Sequence, residues 1–343
     1  MCKSIKNAFY SNLTFEKLLQ AHQRAKQGKM NKVEVLKFEL DLETNIMNLY
    51  RAIKNGKYHM GKYREFIIYE PKERIIKALP YVDRVVHQWY IQEFIKPFIV
   101  PRFINDSYAC IEHRGTHKAI GKVQKYMRQM KRKYHHYYVL KCDIQKYFYS
   151  IDKDILFSIM KRNISDRKLL ELTKIFIYDD NSTIGIPIGN YTSQFYANIY
   201  LNELDHYVKE KLHVKYYVRY MDDFIILVET KSEAKKLLEK IDDFLKTKLN
   251  LRLNKKTNYY PSKLGIDFCG YVIYETHIRI RKRCKNKIKK QIKEWNNLYL
   301  IGTIDYHKVL LCFNSFKGHI QHSNSYNLLN SLKEKLYFDI TRI

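Results

Sequence analysis

Residues 214–229 read VKYYVRYMDDFIILVE. Two apolar runs rich in β-branched and aromatic residues flank a short join, the pattern of two strands in a hairpin. The join carries Asp222 and Asp223 side by side. Neighbouring side chains on a strand point to opposite faces, so adjacent aspartates approach one place only at a turn. Asp favours turns for purely local reasons. The usual hairpin pair is Asn-Gly or Asp-Gly, however, and here Phe224 and Ile225 follow at once. Two carboxylates at the end of an apolar strand cost folding energy unless something cationic meets them.

Around this hairpin the pattern alternates. Upstream, YHHYYVLKCDIQKYFYSI (134–151) starts as a strand and turns at Asp143. Asp152 is placed to cap a helix beginning near Lys153. TIGIPIGNYTSQ (183–194) is a loop punctuated by Gly and Pro, and residues 194–210 follow as a helix with Tyr196, Tyr200, Leu204, Tyr207 and Val208 on one side. Downstream, residues 232–249 form an amphipathic helix with Leu237, Leu238, Ile241, Phe244 and Leu245 inward, and 264–281 is strand-like again. Strand, helix, helix, hairpin, helix, strand is the order of a split βαβ sheet with helices on one face. Nearer the N-terminus, residues 12–55 read as helical, 61–79 as two short strands joined at Pro71, 81–99 as helical and His117–Lys133 as a basic helix. The tail from Lys282 is helical, with Ile288, Ile292, Trp295 and Leu298 as its buried stripe. The fold class is therefore α+β.

The 343 residues are enough for two or three subdomains. Lys and Arg total 63 against 35 Asp and Glu, a net charge of +28, and a chain this basic calls for a polyanion. With 30 tyrosines able to stack on bases, nucleic acid is the leading partner class. None of the six cysteines forms a CxxC pair, so neither a zinc site nor a disulfide framework is expected. His113 and His117 have helical i, i+4 spacing but no third ligand nearby. The N-terminus lacks a signal-peptide core and no run approaches a membrane span, so a cytoplasmic protein is expected.

Asp143 ends its strand as Asp222 and Asp223 mark their hairpin. Three carboxylates at adjacent strand ends can hold two divalent ions roughly 3.5–4 Å apart, which activate a 3′ hydroxyl and stabilise leaving pyrophosphate. With oxygen ligands, two Mg2+ ions are the natural choice.

YMDD between two apolar strands resembles the catalytic turn of reverse transcriptases, and four further segments agree in order. CDIQKYFYSID resembles the first palm motif, and GIPIGNYTSQFYANIYLNELD the palm loop and helix. LRLNKKT followed by GIDFCGYVI resembles the motif after the turn and the primer-gripping strands. PKERIIKALPYVDRVVHQ resembles the fingers. The resemblance covers roughly residues 50 to 343. It implies a right-hand polymerase: an N-terminal helical extension (1–55), fingers (56–135), palm (136–280, with part of the fingers near 153–190 and the primer grip near 265–280) and a short helical thumb (281–343). SFKGHIQHSNSY (315–326) is similar to a thumb segment.

Most reverse transcriptases have Gln-Gly in the palm loop and Ser-Pro after it. Here Ile188-Gly189-Asn190 and Ser193-Gln194 stand instead, which is similar to reverse transcriptases of diversity-generating retroelements. Members of that family copy a template RNA with errors at adenines, so that the cDNA diversifies a target gene. They work with a small basic accessory variability protein.

The resemblance assigns roles to matching positions. Asp143, Asp222 and Asp223 match the metal ligands, and the carbonyl of Ile144 joins them. Phe148 matches the ring that leaves no room for a 2′ hydroxyl. Lys72 and Arg74 match the cations that hold the triphosphate of the deoxynucleotide substrate. Ile188 replaces a glutamine that contacts the incoming nucleotide. An apolar side chain cannot orient a base pair by hydrogen bonding, which implies weakened discrimination. Gly189 allows close backbone approach, while Asn190 and Gln194 are signature positions. Lys256, or its neighbour Lys255, matches the lysine that protonates pyrophosphate. Arg281, Lys282, Arg283, Lys285, Lys287, Lys289, Lys290 and Lys293 form a face without an acid, suited to a template–primer backbone. No ribonuclease H or endonuclease domain is expected after the thumb. The alternatives are a retron or group II intron enzyme, and an inactive RNA-binding protein with a polymerase fold.

Overall fold

The hairpin forms as its pattern predicts: β4 (Tyr217–Tyr220) pairs antiparallel with β5 (Asp223–Val228). A computed structural model describes residues 4–69, 72–180 and 182–339. The predicted join at Pro71 lies outside them.

From the N-terminus come α1 (Phe9–Asn12), α2 (Phe15–Lys26), α3 (Val33–Leu40) and α4 (Leu42–Lys54). The antiparallel hairpin of β1 (Arg64–Ile68) and β2 (Arg74–Ala78) follows. Then α5 (Tyr81–Tyr90) runs through a π turn into α6 (Lys96–Phe98), and α7 (Thr116–Lys133) leads to β3 (Tyr138–Asp143). Next are α8 (Tyr147–Ser150), α9 (Lys153–Asn163), α10 (Arg167–Ile177) and α11 (Tyr191–His206). After β4 and β5 come α12 (Lys231–Leu249), β6 (Asn258–Pro261), β7 (Ile266–Phe268), β8 (Tyr271–Ile273) and β9 (Ile278–Ile280). The chain closes with α13 (Lys282–Leu300), α14 (Tyr306–Ile320) and α15 (Tyr326–Lys333).

Several helix starts are set by side-chain caps, which satisfy amides that have no partner within the helix. Thr14 accepts from the Lys17 amide, Asp152 from those of Asp154 and Ile155, and Asp166 from that of Leu169. Asp166 also accepts from the amides of Ala8 and Phe9 at 2.8 and 2.9 Å, which pins α1.

The chain divides into two compact units. One comprises Met1–Ile111, Asp143–Lys215 and Leu238–Lys256; the other Glu112–Cys142, Tyr216–Leu237 and Thr257–Ile343. The core of the first includes Trp89, Tyr90, Phe94 and Phe176, whose rings meet edge to face or tilted. The second holds the four-stranded sheet in the order β4-β5-β3-β6, of which only Asp143 at the end of β3 belongs to the first unit. It also holds the three-stranded sheet β7-β8-β9 and a small helical core of Ile288, Ile292, Trp295, Val309, Phe313 and Leu332 from α13, α14 and α15.

Three expectations change. The predicted helical stretch of 12–55 is broken into separate helices, the longest break falling at residues 27–32 around Gly28 at φ +68°. The helix expected at 194–210 starts at Tyr191 and is buried on nearly every side, with Asn198 and Asp205 inside it. Asn198 pairs with the Ala109 carbonyl at 2.8 Å, so a polar residue that reads as outward turns in. His113 precedes α7 at φ +58°, off the helix, so it and His117 do not share a helical face. His117 stacks on His322 instead, with ring centroids 3.4 Å apart.

Among the described residues, no helix is long and apolar enough to cross a membrane.

Candidate active site

The register of β4 and β5 opposes Tyr220 to Asp223 and leaves Met221 and Asp222 as a two-residue turn. Met221 takes a left-handed φ of +56°, an uncommon conformation for a bulky side chain. Arg219, fully buried, donates to the Met221 carbonyl at 2.9 Å and braces the turn. Asp222 and Asp223 are both half-buried. The Lys141 ammonium lies 3.9 Å from the Asp223 carboxylate and also donates to the Asp267 carbonyl. The Asp267 carboxylate in turn pairs with Arg281. Burial raises Tyr260 to about 12, with the Asp267 and Asp223 charges adding to it. Two cations thus face a locally acidic patch.

In the first unit, Asp143 is half-buried and its carbonyl accepts from the Asn254 amide at 2.7 Å. The next residue, Ile144, is buried and bridges Leu253. Lys146 at φ +45° turns the chain into α8. Half-buried Phe148 follows there, its carbonyl accepting from the Ile186 amide at 2.8 Å. Lys255 and Lys256 are exposed in one turn, with the Lys256 amide on the Asn254 side chain at 3.1 Å.

The Ile188–Asn190 loop is held against β2. The Lys77 amide donates to the Ile188 carbonyl at 2.8 Å. Gly189 sits at φ +133°, and a Cβ there would lie 2.5 Å from the Lys77 carbonyl oxygen. Ile188 is half-buried. Asn190 is buried, and its amide donates to the Tyr63 hydroxyl at 2.7 Å. Tyr63 donates to Asp179 at 2.8 Å, and fully buried Lys153 binds Asp179 and Asp180 at 2.8 and 2.7 Å. Burial, reinforced by the Asp179 charge, pushes the Tyr63 phenol far up, so it stays a donor. Burial would raise the Asp180 carboxyl, but bonds from Lys153 and Ser182 outweigh it and hold it well below the carboxylate range. Gln194 is exposed on α11, accepting from Cys110. Lys72 is exposed in the turn after residue 71, and Arg74 is exposed at the start of β2 opposite Ile68.

Along α13, Lys282, Arg283, Lys285, Lys287, Lys289, Lys290 and Lys293 are exposed, away from buried Ile288, Ile292 and Trp295. Arg281 differs from the rest of this predicted basic face, because its guanidinium is bound to Asp267.

The sequence reading missed Lys141, Tyr63, Lys153 and Asp179. Each is an ordinary polar residue whose partner lies far along the chain. The one local signal was Lys141, two residues before Asp143 and so on the same strand face.

Among the described residues, no group of three or more His, Cys, Asp or Glu is drawn into metal-holding geometry.

Residues 62–273 match the profile of the family described as reverse transcriptase (RNA-dependent DNA polymerase). The chain belongs to this reverse transcriptase family. Among curated relatives of this chain, the retron Ec73 reverse transcriptase of Escherichia coli is 28% identical over 172 residues, 44% of this chain and 53% of that protein. The group II intron-encoded protein LtrA of Lactococcus lactis is 22% identical over 323 residues, 73% of this chain and 53% of that protein. The chain thus spans about half the length of these relatives. Among solved structures, apo telomerase from Candida tropicalis superposes with a TM-score of 0.51 at 11% identity, covering 82% of this chain and 59% of that one. That likeness is one of fold alone.

Proposed function

We propose that this chain is an RNA-directed DNA polymerase that makes error-prone cDNA from the template RNA of a diversity-generating retroelement. The observation that carries the polymerase reading is the Tyr220–Asp223 turn beside the strand ending in Asp143, in a chain of this family. In this reading residues 56–135 are fingers, 136–280 palm and 281–343 thumb, behind the helical extension at 1–55.

Asp143, Asp222, Asp223 and the Ile144 carbonyl would hold two Mg2+ ions. Their hard oxygen donors suit magnesium, and Asp223 already faces the Lys141 cation. When bound, such ions supply charge stabilisation to the attacking and leaving oxygens. Lys72 and Arg74 hold the triphosphate, Arg74 by its bidentate fork. Phe148 closes the space below the sugar against a 2′ hydroxyl. The primer 3′ hydroxyl gives its proton to water as its oxygen bonds to the α-phosphorus. The bond from that phosphorus to the oxygen bridging to the β-phosphate breaks, and Lys256, or its neighbour Lys255, gives a proton to the departing pyrophosphate. Ile188 offers the base pair no hydrogen bond. Its carbonyl, and Gly189 behind it, are tied to β2, so the loop is fixed while its side chain stays apolar. The exposed face of α13 carries the template–primer backbone. A small basic accessory variability protein would position the RNA.

Primer extension on an RNA template with magnesium and four deoxynucleotides, followed by cDNA sequencing, tests this. Substitutions concentrated at template adenines support both polymerase and retroelement type, and Asp222→Ala should abolish the product while leaving RNA binding intact. Faithful cDNA keeps the polymerase and removes the link from Ile188 to infidelity. It would then favour a retron or group II intron type, the kinds of relative matched above. Persistent synthesis by Asp222→Ala would sink the site assignment.

A further inference from the structure

Beside the Gly189–Asn190 turn, the first unit holds a cavity of about 170 Å3. Three buried polar atoms on its lining residues have no hydrogen-bond partner in the protein: Arg24 Nη1, His87 Nε2 and Asn190 Oδ1. His87 and Asn190 are 1% and 4% exposed. Buried polar groups are nearly always paired, with protein or with ordered water, so three on one cavity mark it as a polar site that a ligand could fill in place of water.

The surrounding bonds say what each atom requires. Asp179, bound to the Lys153 ammonium, can only accept, so the Tyr63 hydroxyl gives its proton there. Tyr63 therefore accepts from Asn190 Nδ2, which leaves the amide oxygen at the cavity as a pure acceptor. Arg24 only donates. His87 meets Thr192 through Nδ1, so its other nitrogen remains for the cavity. Lys29 and Arg84 also line the space, the latter sharing its charge with Glu34. The positive end of α11 begins there.

A phosphodiester group alone supplies acceptors but no donor for Asn190. A lone hydroxyl leaves two cations unmet. A ribonucleotide backbone unit supplies both, through its phosphate oxygens and its 2′ hydroxyl. The volume is below the roughly 300 Å3 at which pockets begin to take drug-sized molecules, so no base needs to enter. We propose that this cavity takes one backbone unit of an RNA strand, its phosphate against Arg24 and Lys29 and its 2′ hydroxyl donating to Asn190 Oδ1. The assignment rests on the RNA-templated reading above and deepens it, making Asn190 a reader of RNA over DNA.

The test is equilibrium binding of RNA-template hybrids in which single template riboses are replaced by deoxyribose, one position at a time. No nucleotides or metal are present, so a protein that fails to extend primers is still read. One position should weaken binding roughly five- to tenfold, the effect of one lost hydrogen bond. That penalty should vanish in Asn190→Ser. A penalty at no position, or one unchanged in Asn190→Ser, overturns the proposal. Should Asn190→Ser not fold, Arg24→Gln reports separately: the salt slope of binding should fall by about one, as for a lost phosphate contact, and an unchanged slope overturns it. Competition by millimolar inorganic phosphate with no ribose dependence would mean an anion site only and would also overturn it.

Discussion

Gly189 sits where backbone meets backbone. Its φ of +133° and the 2.5 Å approach of a built Cβ to the Lys77 carbonyl leave no space for a side chain. Gly189→Ala should therefore cost about 1–3 kcal/mol through local strain and push the loop from β2. Urea unfolding would read the first effect, and the deoxynucleotide KM of the proposed polymerase activity the second. His87 gives the same unit a pH dependence. Burial lowers its pKa to about 3 from 6.5. Below about pH 6.5 the unfolded chain binds a proton that folded His87 refuses. Its contribution is complete above that pH and declines on acidification, by at most about 1.4 kcal/mol per pH unit, until the folded imidazole titrates near 3. The drop in urea midpoint from pH 7 to pH 5 should be smaller in His87→Gln than in the parent; an equal drop would assign it to other groups.

At the scale of elements, α9 starts where Asp152 caps it, and its first residue, Lys153, is fully buried against Asp179 and Asp180. Removing one partner of such a buried pair is costly because the other charge stays behind. Lys153→Met should destabilise by about 3–5 kcal/mol, measured as a fall in denaturation midpoint with an unchanged slope. The cap was legible because Asp152 and the amides it binds are adjacent in sequence. The burial of Lys153 was not, since its partners come 26 and 27 residues later and a lysine after a cap reads as solvated. The same contrast runs through the molecule. The β4–β5 hairpin, β3, α7 and the stripe of α13 follow from periodicity, which is local. The inward polar residues of α11 and the Tyr63–Asn190 bond depend on contacts that no window of sequence contains. Among candidate site residues, the aspartate turn and the loop glycine were legible as motifs, whereas Tyr63 and Arg24 gained meaning only from what surrounds them.

For the whole chain, +28 of net charge is the dominant long-range term. If six or more phosphates are engaged, affinity for RNA should fall on the order of 10³-fold or more between about 50 and 200 mM salt. Replacing both Lys289 and Lys290 with Ala should reduce the slope of log affinity against log salt by roughly two. A slope unmoved by that pair would take α13 off the nucleic-acid path.

Lys141 carries a different consequence. Its ammonium stands 3.9 Å from Asp223 and is anchored on the β7 backbone. The aspartate turn thus has a resident counter-charge of its own, and its carboxylates need not wait for divalent ions to be tolerable in the folded chain. In the proposed polymerase, metal loading would therefore not be a condition of folding. Chelation would then stop the proposed synthesis and leave the chain folded, because the Lys141 contact to Asp223 stands without any ion.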